Sequence, residues 1–469
     1  MSSFRFQFIV GFVSLIAPLV AIADTLADQA ARAALRDSQL EALVDEALAN
    51  APEIATARAS VDAAEFRIIP AGTLADPFLS TTYQNDGRSI SFGDAEGSFL
   101  GLMGSQALPW PGKLRLASDA AASEAKEVER GALGRAALTI EARVRNAWYD
   151  LVLARAIDAI IDERRTATAQ IEASVRERYA AGLAEQQDVL RAQVELIRID
   201  ELKTTQAATI ASRLAELNRL VGTPQDRPVE TPDRLPDDAT IAALADLIAA
   251  SMARSPELAS SEQAIETSRI RVEEAKKNFY PDFTVNAGYM NRGGWEMGPM
   301  WQVGVGVNVP IWIDRKQRNQ VAEAEAIGRG RSSERDVVMR ELELRTRERS
   351  IQLDAALRVA ALYRDKVLPL DVISLESALA SYQSGKLPFI TVLDALNTLY
   401  ADRSALESRF AESAKWRVAI DEASLQPTAM AGAPSMGTSG MAGSVGAGFT
   451  QSSAANSNAT SGSSMSSMR

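Results

Sequence analysis

Residues 301–312 read W-Q-V-G-V-G-V-N-V-P-I-W, with an apolar residue at every second position. The apolar set is Trp301, Val303, Val305, Val307, Val309 and Ile311. Because successive side chains of a β-strand point to opposite faces, this alternation predicts a strand with one apolar face and one face of small or polar residues. A tilted strand of about 9–11 residues can cross the hydrocarbon core of a bilayer, so the length suits a membrane-spanning strand.

A second alternating strand lies just upstream. Its two faces carry Phe283, Val285, Ala287 and Tyr289 on one side and Thr284, Asn286 and Gly288 on the other. The Gly-rich turn at Asn291–Gly294 joins the two strands into a predicted hairpin. Aromatic rings near strand ends are typical of a membrane interface, and the candidates are Tyr289, Trp295, Trp301 and Trp312. A hairpin in a soluble β-sandwich has the same alternation, so this hairpin alone supports both interpretations.

The composition excludes several classes of protein. The 469 residues include no Cys and no His, which excludes disulfides, thiolate zinc sites, Cys nucleophiles and His-based acid–base catalysis. The net charge of -11 argues against nucleic acid as a partner. There is no Walker-type phosphate loop and no cluster of metal ligands. We therefore predict a protein that is not an enzyme and has no cofactor and no bound metal.

The two ends of the chain differ in composition from the region between them. Residues 1–23 resemble a secretory signal peptide, with Arg5 in the basic region, an apolar stretch at Phe8–Val20 and a small-residue cleavage pattern at 21–23. Beyond them no run reaches ~18 uninterrupted apolar residues, so no membrane-spanning helix is predicted. Residues 426–469 form a Met-, Gly- and Ser-rich tail. Such a composition buries too little apolar surface to fold, and we predict disorder there.

Between these ends the chain predicts one unit used twice. Residues 24–222 predict a helix, a hairpin from 78–83 and 98–108, and two long helices joined by a tight turn. A Pro-rich linker follows at 223–238, and the same order restarts over 239–425. Several short motifs recur in matching places: Ala51-Pro52-Glu53 as Ser255-Pro256-Glu257, Tyr179-x-x-Gly182 as Tyr382-x-x-Gly385, and Val189-Leu190 as Val392-Leu393.

The predicted fold is mostly α with a small β part, and it is incomplete in a single chain. Four membrane-length strands leave two open edges, which hydrocarbon does not tolerate. Single-chain bacterial barrels have at least eight strands, so other copies must complete this one. Two, three or four copies would give eight, twelve or sixteen strands, and the strand pattern does not choose among them.

The repeated motifs resemble those of the TolC family of outer-membrane efflux channels. The resemblance is carried by Leu48-Ala-Asn-Ala-Pro52-Glu53, Arg178-Tyr-Ala-Ala-Gly182-Leu183, Asp188-Val189, Leu220-Val-Gly222-Thr223, Tyr382-Gln-Ser-Gly385 and Val392-Leu393-Asp394-Ala395. It implies a homotrimer with a twelve-stranded β-barrel in the outer membrane lipid, four strands per chain, continued into the periplasm by a long α-helical coiled-coil barrel. It also implies two partners, a periplasmic adaptor (membrane fusion) protein and an inner-membrane RND-type pump.

The resemblance also implies site residues at the periplasmic end of the long helices. Gly182 and Gly385 match the family's turn glycines, and the tips expected to dock the adaptor comprise Gly182, Leu183, Gly385, Lys386 and Leu387. Asp188 and Tyr382 match a pair that closes the family's channel, and Asp394 matches one of its two aspartate rings. The sequence departs from the family at Thr391, the other ring position, and at Leu387, where the family has a gating arginine.

The function implied is a passive exit duct in the outer membrane, spanning into the periplasm. The segment Leu108-Pro109-Trp110-Pro111-Gly112-Lys113 resembles the heavy-metal branch of the family, which is CusC- and CzcC-like, so metal cations or small molecules are the expected substrates. A rigid corner between strand and helix explains that segment equally. Two other functions stay open: the duct of a type I protein secretion system, and a periplasmic coiled-coil adaptor without a pore.

Overall fold

The structure, a computed structural model, describes residues 38–85, 88, 97–232, 234–235, 240–292 and 298–425. The predicted signal peptide at 1–23 and the predicted tail at 426–469 lie outside the described residues. Trp295 also lies outside them, as do parts of the predicted linker and both hairpin turns.

The described N-terminal helical region contains three helices, and Pro52 separates the first two. It consists of α1 (38–50), α2 (Pro52–Glu65) and the short α3 (Ile68–Ala71). Ala51 has an extended backbone conformation because the ring of Pro52 disfavours a helical residue before it. The same break separates α7 (Leu244–Arg254) from α8 (Pro256–Lys277), where the backbone N–H of Leu258 donates to the Ser255 hydroxyl at 3.3 Å.

Two very long helical stretches dominate the fold. The first runs from Lys113 to Ala180 as α4 (Lys113–Val128), a π-helical turn (Glu129–Leu133) and α5 (Gly134–Ala180). The second comprises α9 (Gln317–Leu362), a π-helical turn (Tyr363–Val367) and α10 (Leu368–Gln383). At 1.5 Å per residue each spans roughly 100 Å. After tight turns, α6 (Gln186–Val221) and α11 (Phe389–Glu422) run back along them.

The two π-helical turns are features that an uninterrupted helical pattern does not predict. Near the first, a Cβ added to Gly131 would lie 2.7 Å from the Ser260 hydroxyl of α8, so the neighbouring helix approaches very closely. Just after the second comes Pro369, which has no N–H to donate and whose ring would clash with the carbonyl of Asp365 in a regular helix. A wider turn removes that clash.

The four strands form one antiparallel sheet in the order β1 (Phe78–Gln84), β2 (Phe99–Leu108), β3 (Asp282–Asn291) and β4 (Met300–Asn308). The two predicted hairpins are therefore joined along β2 and β3, with Leu102 opposite Tyr289. Tyr289 in turn lies opposite Trp301. The alternating stretch was expected to continue to Trp312, but β4 ends at Asn308 because Pro310 has no N–H for the ladder.

A compact corner connects the sheet to the long helices. The Trp110 backbone N–H donates to the Asp282 carboxylate at 2.8 Å, and the Lys113 ammonium lies 2.9 Å from both carboxylate oxygens. The Trp110 ring stacks on Tyr280 at 5.0 Å and on Phe283 at 5.9 Å between centroids. These contacts tie the first repeat to the start of β3, which makes residues 108–113 a structural corner.

The largest core lies where the shorter helices pack against α5, α6 and α11. Its buried side chains include Val144, Trp148, Leu151, Leu217 and Phe410. None of the helices in the described part of the chain combines the length and the apolarity that crossing a bilayer requires.

A carboxyl pair between α10 and α11 should make stability depend on pH. Burial raises the pKa of Asp371, and the nearby Asp402 carboxyl raises that pKa further. The folded state then holds its proton more tightly than the unfolded state. Stability therefore falls as pH rises from the ordinary aspartate range through the folded pKa, and the loss persists at neutral pH.

We expect Asp371→Asn to raise the thermal unfolding midpoint at pH 7, by an amount equivalent to roughly 1 kcal/mol or less because water partly screens the pair. The gain should disappear at acidic pH, where the native pair is protonated. Glu376→Gln, an exposed position on the same helix, is the matched control and should leave the pH profile unchanged. A midpoint that falls at pH 7 in Asp371→Asn would contradict this account.

Candidate functional site

The two tight turns between the long helices have the same geometry. In the first, the N–H of Gly182 donates to the Tyr179 carbonyl at 2.9 Å and that of Leu183 to the Arg178 carbonyl at 2.8 Å. In the second, Gly385 donates to Tyr382 at 3.0 Å and Lys386 to Ser381 at 2.9 Å. Each is a Schellman motif with a left-handed glycine.

Backbone conformation, and not crowding, explains why both turns contain glycine. Gly182 has φ +74 and Gly385 has φ +73, values that disfavour any residue with a Cβ. A Cβ added at either position would meet no atom within 4 Å. The turns are therefore open to solvent in the single chain, and Leu183 beside the first is 66% exposed. Lys386 and Leu387 beside the second are exposed as well.

A small buried core joins the two hairpin tips. Its members come from all four long helical segments and are Val175, Ala192, Ala378, Tyr382, Phe389, Val392 and Leu393. Phe389 is fully buried, and its ring centroid lies 5.4 Å from that of Tyr382. The tips therefore pack as one unit, with Tyr382 at the junction between α10 and α6.

The structure brings Asp188 and Tyr382 together. The Tyr382 hydroxyl donates to the Asp188 carboxylate over 3.4 Å, which is long for a bond between these groups. Burial raises the pKa of Tyr382, and the nearby Asp188 charge raises that pKa further. The phenol therefore keeps its proton at neutral pH and acts as the donor.

Arg178 is a third member of this cluster that the sequence analysis did not single out. Its guanidinium carbon lies 5.2 Å from the centroid of the Tyr382 ring, within cation–π range. Leu387, where the TolC-like pattern has a gating arginine, carries no charge, and the guanidinium beside Tyr382 belongs to the end of α5. The motif Arg178-Tyr-Ala-Ala-Gly182-Leu183 contained this residue, but its contact depends on how two distant hairpins pack.

Thr391 and Asp394 lie in the first turns of α11, close in sequence to the tip core. Asp394 lines a groove between α6 and α11, together with Leu190, Arg191, Glu195 and Asn397. Among the contacts of the described residues, neither Thr391 nor Asp394 bonds through its side chain to Asp188 or Tyr382. The two predicted ring positions therefore stand apart from the Asp188–Tyr382 pair within one chain.

The opposite end of the molecule presents an apolar sheet surface. Trp301 is 77% exposed, and the side chains that continue its face are also exposed: Leu79, Leu100, Leu102, Val285, Tyr289, Val303, Val305 and Val307. The other face carries small and polar side chains, including Ser105, Asn286 and Gln302. Within the described sheet, β1 and β4 each have one edge without a neighbouring strand.

Three of the four predicted interface aromatics lie in the described part of the chain, and they occupy both ends of this surface. Tyr289 and Trp301 face each other at the hairpin end of β3 and β4, while Trp312 lies beyond the other end of β4 and is 63% exposed. In the described part of the chain, no group of three or more carboxylates is placed to hold a metal ion.

Three comparisons with known proteins agree with this architecture. Residues 247–425 match the model of the outer membrane efflux protein family. The cobalt-zinc-cadmium resistance protein CzcC of Cupriavidus metallidurans is 23% identical over 367 residues, which cover 78% of this chain and 84% of CzcC.

Solved structures show the same fold. The outer membrane protein VceC of Vibrio cholerae superposes with a TM-score of 0.65 at 20% identity, covering 82% of this chain and 96% of VceC. CusC, whose structures describe transmembrane channel formation, gives 0.61 at 18% identity, covering 82% of this chain and 92% of CusC. The described fold is thus that of TolC-like channels.

The matched family consists of efflux proteins of the outer membrane and not of enzymes. With its two hairpins, its exposed apolar sheet and its long paired helices, this chain is similar over residues 247–425 to the outer membrane efflux protein family and over most of its length to CzcC, and it has the fold of VceC and CusC.

Proposed function

We propose that three copies of this chain form a passive exit duct, in which three four-stranded sheets close a twelve-stranded barrel in the outer membrane. The observation that carries the proposal is the sheet itself. Its outer face is apolar, and β1 and β4 each lack a neighbour on one edge. Pairing β1 of one copy with β4 of the next satisfies the edge backbone groups and leaves the apolar face toward lipid.

The long helices support assembly in the same way. α6 exposes a row of apolar side chains in the single chain, among them Leu190, Val194 and Ile197. Neighbouring copies in a helical tube would cover such a row. We also propose that residues 24–222 and 239–425 are two copies of one ancestral unit joined by the linker at 223–238, since α2 to α6 and α8 to α11 repeat the same order of elements.

For the substrate we propose heavy-metal cations delivered by a periplasmic adaptor and an inner-membrane RND-type pump. The support is the similarity to CzcC, a cobalt-zinc-cadmium resistance protein, over most of both chains. The Pro-Trp-Pro-Gly segment adds little to this, because its contacts with Asp282 and Tyr280 account for it as a corner.

The duct itself can be tested on the purified full-length protein. We expect a trimer by mass in detergent and discrete conductance steps in planar bilayers, because a β-sheet can span the hydrocarbon only when it is closed into a barrel. Heat-denatured protein from the same preparation serves as the control. A monomer that gives no current would contradict the duct and favour a periplasmic rod.

At the tips we propose a gate held closed by Asp188, Tyr382 and Arg178. One hydrogen bond is worth about 1 kcal/mol per protomer, somewhat more when an acceptor is charged. The cation–π contact adds about 0.5–1 kcal/mol where it is exposed. Thr391 and Asp394 would form the rings of the constriction when three copies meet.

We expect Asp188→Ala combined with Tyr382→Phe to raise single-channel conductance or open probability, because the closed state loses its bond in every protomer. Arg178→Gln should act in the same direction and Arg178→Lys less. Glu201→Ala, an exposed carboxylate on α6, is the control. If all of these variants conduct like the wild type, the gate lies elsewhere.

Adaptor docking can be tested at the exposed tips. We expect Leu183→Asp with Leu387→Asp to abolish metal resistance in cells that depend on this pump, because charge disrupts apolar contact with the adaptor. Trimer yield should stay normal, since both side chains are exposed. Methionine at the same two positions keeps the apolar character and should preserve resistance. Full resistance in the aspartate variant would argue that the adaptor docks at another surface.

A further inference from the structure

Seven basic residues lie close to one end of the sheet, where the strands connect to the long helices. The register places the end of β2 beside the start of β3, with Leu108 opposite Phe283, and the start of β3 beside the end of β4, with Asp282 opposite Asn308. The three segments that connect to the strands at this end contain Lys113, Arg115, Lys276, Lys277, Arg315, Lys316 and Arg318. We refer to these seven as the basic collar. It stands out in a chain whose net charge is -11.

Three of the seven collar residues form ion pairs with carboxylates of the same chain. Lys113 pairs with Asp282, Lys276 with Glu273 and Arg318 with Asp314. The other four collar residues, Arg115, Lys277, Arg315 and Lys316, form no ion pair with any described carboxylate. Arg315 and Lys316 are also exposed. Their charge is therefore available to an external anion.

Apolar and aromatic side chains lie between this charge and the sheet. Ile311 and Trp312 are exposed between the end of β4 and Arg315, and Tyr280 is exposed before β3. The Lys277 ammonium lies 5.4 Å from the centroid of the Tyr280 ring. The order along the surface is thus apolar sheet, aromatic ring and then cation, which matches the order of hydrocarbon, interface and headgroup in a bilayer.

We propose that the basic collar binds the phosphate groups of anionic phospholipids in the periplasmic leaflet, with Arg315 and Lys316 as its main contacts. This inference rests on the proposed position of the sheet in the outer membrane. A lipid fits better than an acidic protein because the cations continue directly from the apolar and aromatic surface that faces the bilayer. Each basic group near an anionic surface strengthens binding roughly fivefold.

The test uses full-length protein in detergent with equimolar phosphatidylglycerol and phosphatidylcholine, and native mass spectrometry counts the lipids retained. We expect the wild type to retain phosphatidylglycerol preferentially. Arg315→Gln with Lys316→Gln should lower that preference at least fivefold. Arg329→Gln with Arg340→Gln removes two exposed charges from α9 farther from the sheet and should keep the preference.

Two results would overturn the proposal. One is an unchanged preference in the Arg315→Gln, Lys316→Gln variant. The other is loss of the wild-type preference on adding inorganic phosphate at the lipid concentration, which would indicate a simple anion site. Bilayer currents from the same preparation separate this inference from the duct: a conducting protein that is indifferent to lipid charge overturns the collar alone, whereas absence of current overturns the duct.

Discussion

The backbone groups on the free edges of β1 and β4 impose the strongest constraint on this molecule. In hydrocarbon, an unpaired N–H or C=O has no water to bond, so a four-stranded sheet with an apolar outer face is unstable there by itself. The chain therefore encodes only a third of the proposed barrel. The exposed rows along α6 are the helical counterpart of the same incompleteness. In the proposed assembly, neighbouring copies would cover the apolar row of α6, and lipid would cover the apolar face of the sheet.

The two ends of the proposed duct differ in the length of the hydrogen bonds that hold them. At the corner below the sheet, Asp282 holds the Trp110 N–H and the Lys113 ammonium at distances of 2.8–2.9 Å, and two aromatic rings stack beside them. At the tips, the Tyr382 hydroxyl and the Asp188 carboxylate are 3.4 Å apart, and a Cβ added at either turn glycine would meet no atom within 4 Å. A short charged bond resists movement more than a long one does. This difference fits a fixed barrel and a movable gate.

The sequence predicted what depends on local periodicity. Alternation over residues 301–308 predicted β4, and the recurrence of the Pro-Glu and Tyr-x-x-Gly motifs predicted the repeated order of elements. Contacts between residues that are far apart in the chain were not predicted. The contact of Arg178 with Tyr382 and the Asp371–Asp402 pair each join separate helices, and no spacing along one helix reports them. The end of β4 at Asn308 was predictable from Pro310, whose missing N–H outweighs the alternation that continues to Trp312.

At Leu387 this sequence departs from the gating arginine of the TolC-like pattern, and the proposed gate takes its cation from Arg178. The cation beside Tyr382 comes from α5, so it belongs to the other hairpin of the same chain. In the proposed gate, Tyr382 would couple the two repeats, because its ring face contacts the Arg178 guanidinium and its hydroxyl donates a hydrogen bond to Asp188 of α6. Tyrosine is protonated at neutral pH, and burial raises the pKa of Tyr382 further, so a change near neutral pH does not remove the donor. In the proposed gate, release would come from a force that separates the hairpins, and a docked adaptor would supply such a force.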